Sequence, residues 1–206
     1  MSAGGRTTGK QEARDTTDDD EAVAGARTGD PAAFAVLVAR HTAIAHRTAL
    51  LFGAGDDAQD VVQEAFVKAF RSLDRFRADA PFRPWLLSIV VNETHNLHRG
   101  ARRRARLMLR VAALSDVRSA AVAGGADVEL AGHEQRVMVL DAVRSLPERD
   151  RSVVVCRYLL ELSEAETAVA LGWPAGTVKS RLSRALHRLR RQLGERLDDR
   201  WEVHGG

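Results

Sequence analysis

The chain has 206 residues, 45% of them hydrophobic and only 5% aromatic, enough for one domain or two small ones built around aliphatics and alanine. Its formal net charge is +3 and its pI about 9.6, with the charge segregated along the chain, a balance that suits contacts with a polyanion. A single cysteine excludes an internal disulfide, no Cys/His cluster has zinc spacing, and neither a membrane span nor a signal-peptide core is present; we therefore expect a cytoplasmic protein with no metal or cofactor.

Residues 1–29 are rich in Gly, Thr and Asp, with Asp15, Asp18, Asp19, Asp20 and Glu21 clustered, and are expected to form a disordered tail. Order is expected from Asp30-Pro31. Phe34, Leu37, Val38, Ile44, Ala45 and Leu51 then give a helical stripe, ended by the turn at Gly53 to Gly55. A second stripe, Val62, Ala65, Phe66, Ala69, Phe70 and Leu73, leaves Asp57, Asp60, Gln63, Glu64 and Lys68 on the outside. From one helix, a solvated charged face and a partner surface are equally good readings of those five residues.

A third helix is expected to open after Pro84 and run from Trp85 into Arg99, Arg102, Arg103, Arg104 and Arg106. Trp85, Ile89 and Asn92 fall at i, i+4 and i+7 on one face, continued by Asn96 and Arg99. Apolar groups to stack on, an amide to read an edge and guanidiniums to hold phosphate suit a flipped base. Trp and Ile at this spacing are more often core, and the residues alone favour that reading.

Between Leu107 and about Gly132 the chain turns to Ala, Gly and Val around Gly124-Gly125, a natural boundary. A short helix is expected over Val137 to Val143. Ser145 and Glu148 read as a capping box with Pro147 in the first turn of a helix carrying Val153 to Leu160, Cys156 among them as a buried small hydrophobe. Ser163 and Glu166 make a second capping box, Gly172 ends that helix, and Pro174 restarts the chain in another. Ala168 is small enough for a close helix approach. Val178, Leu182, Ala185, Leu186, Leu189 and Leu193 form the buried stripe of this last helix; Thr177, Lys179, Ser180, Arg181, Arg184, His187 and Arg188 form its outer face. Helix, tight turn and basic helix together favour a DNA-binding helix-turn-helix, in which Arg and Lys address guanine edges or phosphates, over a merely solvated amphipathic helix. No strand pattern of useful length occurs, so the fold is expected to be all-α. His41, His46, His95 and His98 lack the companions that catalysis would need, so we expect no enzyme.

Three segments, DAQDVVQEAFVKAF (57–70), FRADAPFRPWLLSIVVNETHNLHRGARRR (76–104) and SLPERDRSVVVCRYLLELSEAETAVALGWPAGTVKSRLSRALHRLRRQL (145–193), resemble regions 2 and 4 of bacterial extracytoplasmic-function (ECF) sigma factors of the sigma-70 family. The resemblance implies two small helical domains joined by a flexible linker. Residues 30–106 would be the region 2-like domain, 107–134 the linker, 135–197 the region 4-like helix-turn-helix domain and 198–206 a C-terminal tail. It implies that Asp57, Asp60, Gln63, Glu64 and Lys68 meet core RNA polymerase, whose contacts in this family are the β′ clamp helices and the β flap. It further implies that Phe76, Trp85, Ile89, Asn92, Arg99, Arg102 and Arg103 serve recognition and melting of the -10 element of promoter DNA, with Asn92 reading an unstacked base and the Asp79 to Phe82 loop completing its pocket. Thr177, Lys179, Ser180, Arg181, Arg184 and Arg188 would serve the -35 element, with Arg157 a phosphate clamp. An anti-sigma protein and a stress signal are implied as well. The chain departs from the family in Lys179, where Arg is common, and in Ser183, where some members carry an aromatic. The competing reading is an autonomous helix-turn-helix regulator, which predicts tight duplex binding without polymerase at a palindromic site.

Overall fold

The computed structural model of the chain describes residues 8–77, 80–112 and 132–204, with side chains described over 18–77, 80–104 and 138–194. Eight α-helices and no strand occur among the described residues, as the patterning requires. The chain falls into two compact units, residues 1–98 with 165–172, and residues 99–164 with 173–206.

In the first unit, α1 (Thr8–Arg27) occupies the stretch expected to be a disordered tail. Val23 and Ala26 are buried, and the nearly buried Asp19 carboxylate receives Arg40 and, at 2.8 Å, Nε2 of His41. A few aliphatics and one enclosed ion pair thus order a segment whose overall composition is that of a tail. The next helix, α2 (Pro31–Leu51), starts where Asp30 accepts a hydrogen bond from the Ala32 amide at 2.8 Å and Pro31 presets the first turn. Its buried stripe includes His41 and Thr48 beside Leu37, Ala45 and Ala49. Gly53, at φ +93°, carries the chain out of it.

The third helix, α3 (Ala58–Ser72), buries Val61, Val62, Ala65, Phe66 and Ala69. Phe70, expected in that stripe, is half exposed, its ring 4.9 Å from Phe34 in an edge-on contact. The fourth helix, α4 (Phe82–Ala112), starts before Pro84 rather than after it. Proline lacks an amide hydrogen, and the first turn of a helix needs none there, so Pro84 fits inside the opening turn.

In the second unit, α5 (Gly132–Ser145), α6 (Glu148–Val154) and α8 (Ala175–His204) share a core of Ala142, Val143, Leu146, Val154, Ala185 and Leu189, with Leu182, Leu186 and Leu193 packed on it. The capping box expected at Ser145 does not form. Ser145 ends α5 and its hydroxyl donates to the Ala142 carbonyl at 2.7 Å, while Pro147 is itself the cap of α6, without a side-chain bond. After α6 the backbone widens into a π-turn over Val155–Leu159 and then reverses through Glu161 at φ +56°. Helix α7 (Glu164–Leu171) starts just after Ser163, as the second capping box predicts, and Gly172 at φ +65° closes it. The Pro174 carbonyl accepts the first amides of α8, from Thr177 at 2.9 Å and Val178 at 3.2 Å. Helix α8 continues past the expected boundary at 197 to His204. Most of the expected linker, residues 113–131, lies outside the described residues.

Candidate nucleic-acid interface

The exposed face of α4 is set by what lies beneath it. Phe82 is fully buried; its ring lies 5.6 Å from Trp85 and 5.9 Å from Phe76, and Phe76 lies 4.8 Å from Trp85. His41 stands 5.3 Å from Phe82 on the far side and is itself held by Asp19. Trp85 and Ile89 are half-buried against this core, so both the core reading and the surface reading of that pair hold in part. Asn92 is exposed one helical step further, and Arg99, Arg102 and Arg103 follow it, also exposed. Phe76, expected among the DNA-contacting residues, is buried and backs Trp85 instead. Asp79 of the expected pocket loop lies outside the described residues.

Asp57, just before α3, and Asp60, Gln63 and Glu64 on it are exposed. Lys68 differs from them. Its ammonium bonds Glu93 of α4 at 2.5 Å and pairs with Glu64 at 3.4 Å, and the Glu93 hydrogen bond holds its pKa above the ordinary lysine value. The residue therefore ties α3 to α4 besides lying at the edge of the acidic face. Beside that face runs an apolar groove of about 750 Å3 between α2 and α3, lined by Phe34, Val38, Val62, Phe66, Val67 and Phe70 among others.

On α8, Lys179, Ser180, Arg184, His187 and Arg188 are exposed, and Thr177 and Arg181 are half-buried. Arg184 lies along the helix, its Nε donating to the Ser180 carbonyl at 3.2 Å. Arg181 is held from two sides: its Nη1 is 3.0 Å from Oδ1 of Asp150, and its guanidinium lies 5.6 Å above the Trp173 ring. Arg188 reaches the other oxygen of the same carboxylate, also at 3.0 Å. Arg157, on the π-turn, donates to the Leu162 carbonyl and is half-buried, so part of its function is to close that turn. Asp150 escaped the sequence reading because an acidic residue in the first turn of a helix is ordinary on its own. Only the packing of α6 on α8 brings it to the arginines.

Two exposed basic surfaces, one on a helix-turn-helix and one continuing a helix that presents an aromatic, an aliphatic and an amide, define a nucleic-acid-binding protein of two helical modules. Comparison with known proteins narrows this. Residues 37–104 match Sigma-70 region 2, and residues 136–189 match Sigma-70, region 4. The ECF RNA polymerase sigma-E factor of Escherichia coli (strain K12) is 37% identical over 171 residues, which cover 76% of this chain and 84% of that one. The RNA polymerase sigma factor CnrH of Cupriavidus metallidurans is 34% identical over 172 residues, covering 80% and 88%. The solved structure of CnrH in complex with the cytosolic domain of CnrY superposes with a TM-score of 0.62 at 32% identity, over 86% of this chain and 98% of that one. A sigma factor RpoE from Bartonella quintana, solved with the anti-sigma factor NepR, shares the fold with a TM-score of 0.56 at 24% identity, over 78% and 96%. The chain belongs to the ECF sigma factors of RNA polymerase.

Proposed function

We propose that this chain binds core RNA polymerase and directs it to a specific set of promoters, acting as an alternative sigma factor while the core enzyme supplies the catalysis. Residues 30–106 form the module that meets polymerase and the -10 element, 107–134 the linker, and 135–197 the module that meets the -35 element. Both matched stretches, 37–104 and 136–189, lie inside the two modules. The exposed Asp57, Asp60, Gln63 and Glu64 contact the polymerase β′ clamp helices, with Lys68 at their edge, and the second module contacts the β flap. The observation that carries the reading is the order of groups on α4: an exposed amide, Asn92, just beyond the half-buried Trp85 and Ile89 and followed by exposed arginines. A base leaving the stack gains an aromatic and aliphatic shelf, an edge to bond and cations for its phosphates. On α8, Lys179, Ser180 and Arg184 contact the -35 element. The chain is held inactive by an anti-sigma protein, a partner of the kind with which the sigma factor RpoE of Bartonella quintana was solved.

In vitro transcription with purified core polymerase and a genomic promoter library tests this. Wild type is expected to create new start sites with a shared two-part motif. Asn92→Ala should weaken initiation at them by roughly fivefold to 150-fold, from the loss of roughly 1–3 kcal/mol of base readout. If the chain shifts duplex DNA alone and neither binds core nor initiates, the autonomous regulator is the better account.

A further inference from the structure

The Asp150 carboxylate takes two cations of the DNA-facing helix at once. Arg181 and Arg188 are seven residues apart on α8, two turns on one side; Arg181 donates to one oxygen of Asp150 and Arg188 forms an ion pair with the other, each at 3.0 Å. Asp150 is only 3% exposed, so water cannot replace either partner easily. The guanidinium of Arg181 is further fixed over Trp173. A guanidinium that left for a DNA phosphate would strand a buried carboxylate with half its partners, close to the approaching negative charge.

We propose that Asp150 is a positioning residue that withholds Arg181 and Arg188 from DNA phosphates, leaving Lys179, Ser180 and Arg184 to meet the promoter and raising the share of binding that depends on sequence. The inference rests on the DNA-reading role of α8 proposed above. It concerns the physical source of selectivity: phosphate contacts add affinity to any sequence alike, whereas base contacts add it to one. Two arginines held on one buried carboxylate, which cuts their joint charge from +2 to +1, supply the helix with shape and rigidity and less indiscriminate attraction.

The consequence is measurable in salt dependence, since each phosphate neutralised by a cation contributes about 0.9 to the slope of log K against log salt. Full-length chain assembled with core polymerase would be titrated onto its promoter duplex and onto a scrambled duplex between 50 and 200 mM salt (about the range over which such slopes are resolved). Asp150→Asn is expected to steepen the slope by about 0.9 to 1.8 and to tighten the scrambled duplex more than the promoter. Asp150→Glu, which keeps the charge, should return the slope towards wild type. Arg181→Gln and Arg188→Gln should leave the slope as it was, whereas Lys179→Gln and Arg184→Gln should each flatten it by about 0.9. The arginine variants carry the test even if Asp150→Asn fails to fold. If Arg181→Gln and Arg188→Gln flatten the slope as Lys179→Gln does, these arginines already hold phosphate and the proposal is overturned. If Asp150→Asn weakens both duplexes with no change in slope, Asp150 is a structural tether and the proposal is again overturned. A wild-type assembly with no preference for promoter over scrambled duplex would instead remove the DNA-reading role itself, and this proposal with it.

Discussion

Asn92 and Cys156 mark the two ends of what a single side chain can reveal. Asn92 is exposed beside a hydrophobic shelf, a costless position for an amide in the free protein, so its substitution should leave folding alone. The thermal midpoint of Asn92→Ala is expected to match wild type while its initiation falls, and a large drop in midpoint would show the residue to be structural. Cys156 lies inside the core, where burial pushes its thiol up to about 12. At pH 8 well under about one part in a thousand is then thiolate, and alkylation of the folded chain should be negligible until denaturant opens it. Rapid labelling of the native protein would contradict the buried placement. At this scale the sequence identified residue types well and their partners poorly. Asn92 and Lys179 were legible because exposed polar residues stand out from a helical stripe. The burial of Phe76 behind Trp85 was not legible, because nothing local distinguishes a ring that backs Trp85 from one that meets DNA. The hold of Asp150 on Arg181 and Arg188 was invisible because its partners lie 31 residues and more along the chain.

Among the elements, the turn between α7 and α8 gives the sharpest prediction. Gly172 sits at φ +65° with open space where a Cβ would stand, so Gly172→Ala meets no clash and reports the backbone cost alone. We expect a loss of about 1 kcal/mol, seen as a lower midpoint in chemical denaturation with an unchanged denaturant slope. A neutral result would mean that the left-handed turn is not kept in solution. The turn was legible because a glycine followed by a proline is strong punctuation. The start of α4 was not, because Pro84 is compatible with either side of a helix boundary. The π-turn at Val155–Leu159 was equally hidden, since it falls in a mostly apolar stretch, broken only by Arg157, whose residues would suit an ordinary helix.

For the molecule as a whole, the helical stripes pointed to the all-α chain that is found, whereas composition gave no sign of α1. Ordering of α1 depends on Asp19 meeting Arg40 and His41, residues of a different helix, and tertiary pairing of that kind leaves no periodic trace. Burial opposes the charge on Asp19, but the hydrogen bonds and charges of His41 and Arg40 outweigh it and hold the carboxyl below its ordinary value. The sign follows: the pair stabilises the fold fully above the unfolded carboxylate pKa, and this contribution is lost as pH falls through the lower folded value, beneath about pH 4. Asp19→Asn should therefore cost about 2 kcal/mol at neutral pH and show a shallower further loss on acidification than wild type, measured by thermal unfolding at pH 7 and below pH 4. Equal acid sensitivity in the two proteins would place the titrating group elsewhere. Removal of residues 1–29, harmless if they were a tail, should lower the midpoint as well.

The single buried thiol also makes the molecule a clean optical instrument. Because the chain has no other cysteine, any thiol introduced at an exposed site becomes the sole point of dye attachment. Replacing Gln59 on α3 and Ser183 on α8, both exposed, would set a donor and an acceptor on the two units of a chain otherwise silent to maleimides. Single-molecule energy transfer could then follow the separation of the two modules as polymerase, promoter or an inhibitor is added, with no background to subtract.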